Sequence, residues 1–555
     1  MKSRAQALQS IAGQSFDVCV IGGGATGSGC ALDSQLRGYK TVQLEAADFA
    51  SGTSSASTKM AHGGVRYLEA AIRRLDPQEY RVLQRALHER IHMLRNAPFL
   101  TRTRQFVTPC FSWLDVAYFE IGLKLYDWIA GRDGLAPSRF IPREETLRLI
   151  PSLAADRLVG SVAYTDGQFD DARFNITLVK TFVAAGGEAL NYARVVAFEK
   201  AKDGKIAGAE VEDQIGGRRF TVRARAFINA TGPYADVLRR MANPAAPPRM
   251  RLSKGVHVLL PLEVLSSEDA LLVPKTEDGR VLFAIPWQGR LLVGTTDDET
   301  RLDDPLEVKK AEVAYVLRQL NKYLARPVTP DHVVSATAGL RPLVSSGKSG
   351  DTKHLARDHE VERDGASGLI CIMGGKWTTY RAMAEDTLDE AQKYLGGGSK
   401  CSTLRHPLLG SDHYAPEYWR ALMERFGLGE LTARHLAQKY GSCALDVLEL
   451  AAKEPDLGRP LLEGLAPIQA EVVFAVHEEM AETIEDVLAR RIGLQLYGWR
   501  EAVRAAPAVA DLLARELGWP DAAKREAVKQ YLTKIRTWLQ KSGIPGLADG
   551  PSHRK

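Results

Sequence analysis

At 555 residues the chain is too long for one ordinary domain, and its length sets an expectation of two to four domains with ample core. The composition, 45% hydrophobic and 25% charged with no run of about 18 apolar residues, is that of a soluble globular protein and excludes a bilayer-spanning helix. A net charge of +5 from 73 basic and 68 acidic residues does not indicate nucleic acid; it suits weak attraction to an anionic membrane face or an anionic substrate.

Along the chain, Met1 to Gln14 carries a few basic residues but no continuous apolar stretch, so no signal peptide is expected. Phe16 to Ile21 is apolar, β-branched and ended by glycine, which predicts a short buried strand. Gly22-Gly23-Gly24-Ala25-Thr26-Gly27 follows, then a helical stretch to Arg37 closed by Gly38. Lys40 to Leu44 reads as a second strand ending on Glu45, which completes a β-α-β unit. Arg81 to Met93 is predicted helical. Val195 to Val211, Phe220 to Asn229, Gly255 to Pro261 and Leu282 to Thr295 read as strands of a mixed sheet over a cofactor domain. The stretch Gly396 to Ser399 breaks this pattern, and from about 400 the chain reads as helices. The clearest is Ala470 to Ile492, where Val473, Val476, Met480, Ile484, Val487 and Leu488 form an apolar stripe with Glu478, Glu479, Glu482 and Glu485 off it. The expected division is 15–395 for interleaved cofactor and mixed-sheet domains, 400–535 for a helical domain, and 536–555 for a basic tail.

Six scattered cysteines, Cys19, Cys30, Cys110, Cys371, Cys401 and Cys443, include no C-x-x-C pair. No zinc, iron–sulfur or other metal site is expected, and the scatter suits a reducing compartment.

Chemistry enters with the glycines. Gly22 permits a tight turn, Gly24 lets backbone approach a pyrophosphate, and Gly27 allows close helix–strand packing. The following helix N-terminus offers N–H groups and partial positive charge to phosphates. Glu45, 18 residues beyond Gly27, is placed to accept hydrogen bonds from a ribose. NAD and FAD share this fingerprint. Three later segments favour FAD: the small, hydroxylated run Ser51 to Lys59; Phe227 to Gly232, a strand closing on a small-residue turn; and Cys371 to Arg381, a strand, a glycine pair and a helix start. The last offers a second helix N-terminus to the N1/O2 edge of a flavin.

On these residues the chain resembles the FAD-dependent glycerol-3-phosphate dehydrogenases, within the wider glycine-oxidase-like flavoprotein group. The matching stretches are Asp17–Gly27, Ser57–Leu68 (STKMAHGGVRYL), Asn229–Asp236 (NATGPYAD), Gly294–Asp297 (GTTD), Gly339–Leu343 (GLRPL), Gly374–Arg381 (GGKWTTYR) and Glu478–Arg491 (EEMAETIEDVLARR). The implied fold is α/β: a Rossmann-like FAD-binding domain, a mixed-sheet substrate domain of the glycine-oxidase/glutathione-reductase-2-like kind, and an α-helical C-terminal domain. The resemblance implies oxidation of sn-glycerol 3-phosphate to dihydroxyacetone phosphate by hydride transfer from C2 to FAD N5.

Residue by residue, it implies His62 and Arg341 as catalytic groups, and Arg66, Tyr67, Arg357, Lys376 and His257 at the substrate. Cofactor contacts are expected at Gly22, Gly24, Gly27, Glu45, Ser57, Thr58, Lys59, Val195, Gly232, Gly375, Lys376 and Thr378. A phosphate monoester suits several convergent donors, with Arg its natural bidentate partner. Any single Arg or Lys is more often a solvated charge, and Arg357 sits in an ordinary charged loop. His62 alone would more often be a structural histidine, and position inside glycine-rich motifs reverses the order for Arg66, His62, Arg341 and Lys376. The expected base is His62, with a water or another residue as alternative, and Arg341 is placed to stabilise a developing alkoxide. The family's acceptors are a membrane quinone (ubiquinone or menaquinone), oxygen or an iron–sulfur subunit. The C-terminus lacks clustered cysteines and no oxidase-type insertion stands out, which favours quinone and peripheral attachment to the inner face of the cytoplasmic membrane. A homodimer is compatible with this. The alternatives are a glycerol-3-phosphate oxidase, or an amine or amino-acid oxidoreductase of the same fold.

Overall fold

The computed structural model describes residues 2–64, 77–345 and 359–546. The apolar run Ser15–Ile21 lies at the centre of a sheet whose parallel strands are ordered Ile370–Gly374, Arg219–Asn229, Ser15–Ile21, Thr41–Leu44 and Glu188–Leu190. A parallel strand covered on both faces needs apolar residues throughout, which is why these segments do not alternate. The helices Ala25–Leu36, Asp171–Ala184 and Tyr380–Leu395 pack together on the sheet, while Ala235–Ala242 lies against Ala193–Lys200 and Ile370–Gly374. Ala193–Lys200 and Ile206–Asp213 extend antiparallel from Arg219–Asn229, and His359–Arg363 closes the far edge.

A second sheet of ten strands runs Asp298–Thr300, Met250–Pro261, Arg290–Gly294, Leu282–Trp287, Ala270–Val273, Thr101–Cys110, Gly160–Phe169 and Met60–Ala61. Ser335–Val344 pairs with Met250–Pro261, and Arg139–Pro142 with Gly160–Phe169. Its ladders are antiparallel except that between Ala270–Val273 and Thr101–Cys110, so the mixed sheet read from the strand pattern is present. The chain passes between the two sheets several times, which puts the loops leaving one sheet directly onto the other.

The C-terminal region is helical, from Tyr418–Phe426 through Trp499–Leu517 to Asp521–Ser542, so helix continues past residue 535. It shares one buried cluster with the second sheet: Val258, Leu291 and Val293 belong to the same core as Val472, Trp499, Val509 and Leu513. Each such side chain contributes roughly 1.5–3 kcal/mol on burial, and the interface is a continuous core. Backbone contacts reinforce it, with Trp499 N–H donating to Val334 O at 3.2 Å and Arg290 Nε to Tyr497 O at 2.9 Å.

The predicted helix 470–492 is not continuous. Ala470–Glu479 ends where Met480 takes φ +53°, and the chain resumes as a π-helical turn over Asp486–Arg491. Polar partners outweigh the apolar period. Glu479, expected on the solvent side, is buried against Arg173 at 2.6 Å, and Asn191 Nδ2 donates to Met480 O at 2.8 Å. Asp486 then restarts the chain by accepting from Glu482 and Thr483 N–H.

Candidate active site

The glycine loop lies at the carboxyl ends of the parallel strands. Gly22 has φ +121°, and a Cβ there would lie 2.5 Å from Ala230 O; a Cβ on Gly27 would lie 2.1 Å from Gly22 O. The loop and the helix that follows are therefore jammed together in a way only glycine allows. Gly24 opens the helix Ala25–Leu36 without a side-chain cap. Ser54 Oγ accepts from Ala25 N–H at 2.9 Å, and a Cβ on Gly24 would crowd that same hydroxyl. Gly23, which sequence reasoning passed over, is equally constrained, since its Cβ would meet Glu45 Cβ at 2.7 Å.

Glu45 ends its strand with its carboxylate accepting from Gly23 N–H at 2.5 Å and Ala47 N–H at 2.9 Å. Burial pushes its pKa up, against the pull of those N–H groups. Ala193 N–H donates to Glu45 O at 2.7 Å, which brings the strand bearing Val195 to this edge. Gly232, at φ +56°, follows a turn tied by Asn229 Oδ1 to the Thr231 hydroxyl. The cradle of side-chain-free positions, the helix N-terminus and the acid at the second strand's end fit a dinucleotide bound along these strand ends.

The Ser/Thr run is a well-fixed loop. Thr53 Oγ1 donates to Leu340 O at 2.6 Å, Trp377 Nε1 to Ser54 O at 2.8 Å, and Ser57 N–H to Asp171 Oδ2 at 3.0 Å. The Lys59 side chain has a structural role. Its ammonium is buried in an ion pair with Asp171 and donates to Ser55 O at 2.8 Å, and its N–H donates to Ser57 Oγ. The side chain thus anchors the loop. Thr58 Oγ1 lies 3.0 Å from His257 Nε2.

Two groups of candidate side chains flank this loop. In the first, His62 follows the strand Met60–Ala61, and its N–H donates to Thr378 Oγ1 at 3.2 Å, joining the HGG and GGKWTTYR motifs. Gly375 (φ +79°) clears Met383, and Lys376 leads a short turn into the helix Tyr380–Leu395. Burial, with Lys376 and Arg90 adding to it, lowers the His62 pKa to about 4 against the opposing pull of Asp166. In the second, Arg341 on Ser335–Val344 donates to Thr295 Oγ1 at 2.9 Å and Thr296 O at 3.0 Å and lies 3.4 Å from Asp297. The GTTD motif is therefore the cradle of Arg341, whose side chain is still 32% exposed. Burial, reinforced by Arg341 and Lys59, lowers the His257 pKa to about 3, so its ring is neutral. Arg66, Tyr67 and Arg357 lie outside the described residues.

Sequence reasoning missed the support beneath His62. Asp166 binds Arg90 Nη1 at 2.8 Å and accepts from Tyr126 Oη at 2.9 Å, and that hydroxyl accepts from Gly63 N–H at 2.9 Å. A signal was there: AYTDGQFDDARF puts three carboxylates into an apolar strand-to-helix segment. Each is neutralised in the interior, Asp166 by Arg90, Asp170 by Lys439 and Asp171 by Lys59.

The chain matches the family model "FAD dependent oxidoreductase" over residues 17–386, and "C-terminal domain of alpha-glycerophosphate oxidase" over 401–524. It is 40% identical over 533 residues to the mitochondrial glycerol-3-phosphate dehydrogenase of Mesocricetus auratus, covering 94% of this chain and 73% of that one. It is 38% identical over 554 residues to the mitochondrial glycerol-3-phosphate dehydrogenase of Arabidopsis thaliana, covering 96% and 87%. Among solved structures it is similar to the glycerol-3-phosphate dehydrogenase of Bacillus halodurans complexed with FAD, with a TM-score of 0.79, 29% identity and full coverage of both chains.

Proposed function

Since the chain belongs to the FAD-dependent glycerol-3-phosphate dehydrogenases, we propose that it oxidises sn-glycerol 3-phosphate to dihydroxyacetone phosphate at the crevice around His62 and delivers the electrons to a membrane quinone. Gly22, Gly24, Gly27 and Glu45 would hold the adenosine diphosphate part of FAD, and Gly375, Lys376 and Thr378 the flavin end. Bound FAD supplies the two-electron acceptor that takes a hydride from C2 of the substrate. The remaining tasks belong to the chain. Arg341, fixed by the Thr295–Asp297 loop and partly exposed, offers a guanidinium to an oxyanion. His62 accepts the C2 hydroxyl proton.

The observation that carries this reading is the place of His62, a buried imidazole whose N–H is tied to Thr378 of the GGKWTTYR motif. With a pKa near 4, His62 is unprotonated at neutral pH and free to take a proton. A base that weak needs help, and a phosphate dianion entering beside Lys376 would raise its basicity by offsetting a cation that depresses it. The pocket's base is then tuned by the substrate it acts on.

Quinone as acceptor is supported by the relatives near 40% identity, which carry the name dehydrogenase. Attachment to the membrane would be peripheral, because no described helix is long and apolar enough to cross a bilayer. The test is an anaerobic titration of the flavoprotein, following the oxidised flavin absorbance. Bleaching by glycerol 3-phosphate, but not by glycerol or glycine, is the expected result, with recovery faster on adding a quinone than on admitting air. A flavin that glycerol 3-phosphate leaves oxidised refutes the substrate, and recovery by air alone refutes the acceptor.

A further inference from the structure

Lys376 follows two glycines in the left-handed region, Gly374 at φ +76° and Gly375 at φ +79°. A glycine pair leaves the backbone free to swing, so the direction in which Lys376 leaves the strand Ile370–Gly374 is set by what flanks the turn. One flank is His359. It opens the edge strand His359–Arg363 and stands opposite Gly374 in the ladder. A Cβ on Gly375 would lie 3.2 Å from His359 Cβ and would run into Met383 on the other side. The turn is therefore pressed between the edge strand and the helix Tyr380–Leu395.

The imidazole of His359 joins those two flanks. Its side chain is 4% exposed, and Nε2 lies 2.7 Å from Asp386 Oδ2 on the same helix. Arg85, on the helix Pro77–Asn96, donates to Asp386 at 2.7 Å and to Ala382 O at 3.3 Å. Burial would raise the Asp386 pKa, but the hydrogen bonds from His359 and Arg85 lower it. The carboxylate is thus ionised, and Nε2 of His359 carries the proton it accepts. An edge strand is held by a ladder on one side only. Here the side chain supplies the second hold, onto the helix that Lys376 leads into.

We propose that His359 is a positioning residue: through Asp386 it fixes the Gly374–Gly375 turn, and with it the ammonium of Lys376 at the flavin end of the site. This role rests on the one proposed above for Lys376. A cation held at the flavin edge tunes the ring's electronics and favours its reduced form. Lys376 is also one of the cations that act on His62, so its placement bears on the electron acceptor and on the base together. Packing alone would make any apolar side chain of similar size an adequate substitute for His359. Positioning through Asp386 instead requires a hydrogen-bond donor at the place of Nε2, which a glutamine can supply and a leucine cannot.

The test is the midpoint potential of the FAD-loaded full chain, measured by equilibration with reference dyes for the wild type, H359L, H359Q, D386A and K376M. H359L should bind flavin but shift its two-electron equilibrium about tenfold toward the oxidised form, a fall of about 30 mV. D386A removes the acceptor at a 40% exposed position and should fall as H359L does, which keeps the test decisive if H359L does not fold. H359Q should stay within about twofold of the wild-type equilibrium. K376M should fall at least as far as H359L. A K376M potential equal to that of the wild type takes Lys376 away from the flavin and overturns the reading of the site on which the role of His359 rests. A fall in K376M without one in H359L or D386A overturns the role of His359 alone, as does an H359Q potential as low as that of H359L.

Discussion

Replacing Asp48 with alanine tests whether the helical C-terminal domain is part of the cofactor site's foundation. Asp48 lies just past Glu45 and receives Arg491 Nη1 and Arg490 Nε at 2.5 Å each, with Arg491 Nη2 at 2.8 Å and Asn191 Nδ2 at 3.1 Å. All three charged groups are buried. Burial alone would raise the Asp48 pKa, but the two guanidinium groups draw it down to about 2. Removing the carboxylate strands two interior cations, a change that costs about 3–5 kcal/mol where no other partner exists. Here Arg490 keeps Asp486 and Arg491 keeps Glu479 O, so the lower end, about 3 kcal/mol, is expected. D48N, which keeps shape and part of the hydrogen bonding, should lose less. Urea unfolding followed by circular dichroism measures the loss. FAD binding should weaken in parallel, since the same turn holds Ala47 N–H against Glu45. A loss below about 1 kcal/mol with FAD affinity intact would refute the clamp.

Three further outcomes are expected. H62N should lower kcat by about 10²–10⁴ while flavin content stays normal; a loss under about tenfold removes His62 from proton transfer. G27A should yield protein with little or no flavin, because the added Cβ meets Gly22 O at 2.1 Å, whereas G52A, with nothing within 4 Å of its Cβ, should bind FAD normally; equal flavin content in both variants contradicts the cradle. His257, buried and neutral with its pKa lowered from 6.5 to about 3, binds its proton only on unfolding across that range. Its contribution to stability is complete above about pH 6.5 and is lost as pH falls toward 3, on the order of 5 kcal/mol in all. H257Q should make the slope of unfolding free energy against pH between 6 and 4 shallower by close to one proton, and an unchanged slope argues against a buried neutral His257.

What sequence reveals here depends on whether a constraint is local. The strand Ser15–Ile21, the glycine turn and the helix after it are specified by neighbours in sequence, and each stands where patterning puts it. The same holds for the turn at Gly374–Gly375, whose positive φ values require glycine. The helix expected over 470–492 was misread because its apolar period is real while its ending is dictated elsewhere. Glu479 turns inward to meet Arg173, and Asn191, distant in sequence, takes Met480 O. Neither partner can be inferred from periodicity.

Lys59 shows the same limit at the site itself. Lys59 closes the small, hydroxylated loop expected to contact the cofactor, and nothing near it in sequence says what its ammonium meets. Its partner, Asp171, opens a helix more than a hundred residues on and lies beside two other buried acids with cations of their own. Arg341 is held differently: its hydrogen bonds run to the Thr295 hydroxyl and Thr296 O, with Asp297 3.4 Å off. The useful distinction between a structural and a functional cation in this fold is therefore the chemistry of what holds it. A carboxylate at short range in the interior neutralises the charge, whereas the hydroxyl and carbonyl of Thr295 and Thr296 mainly orient it. By that criterion Lys59, Arg90, Arg173 and Arg491 belong to the scaffold, while the partly exposed Arg341 is a cation we propose for the substrate.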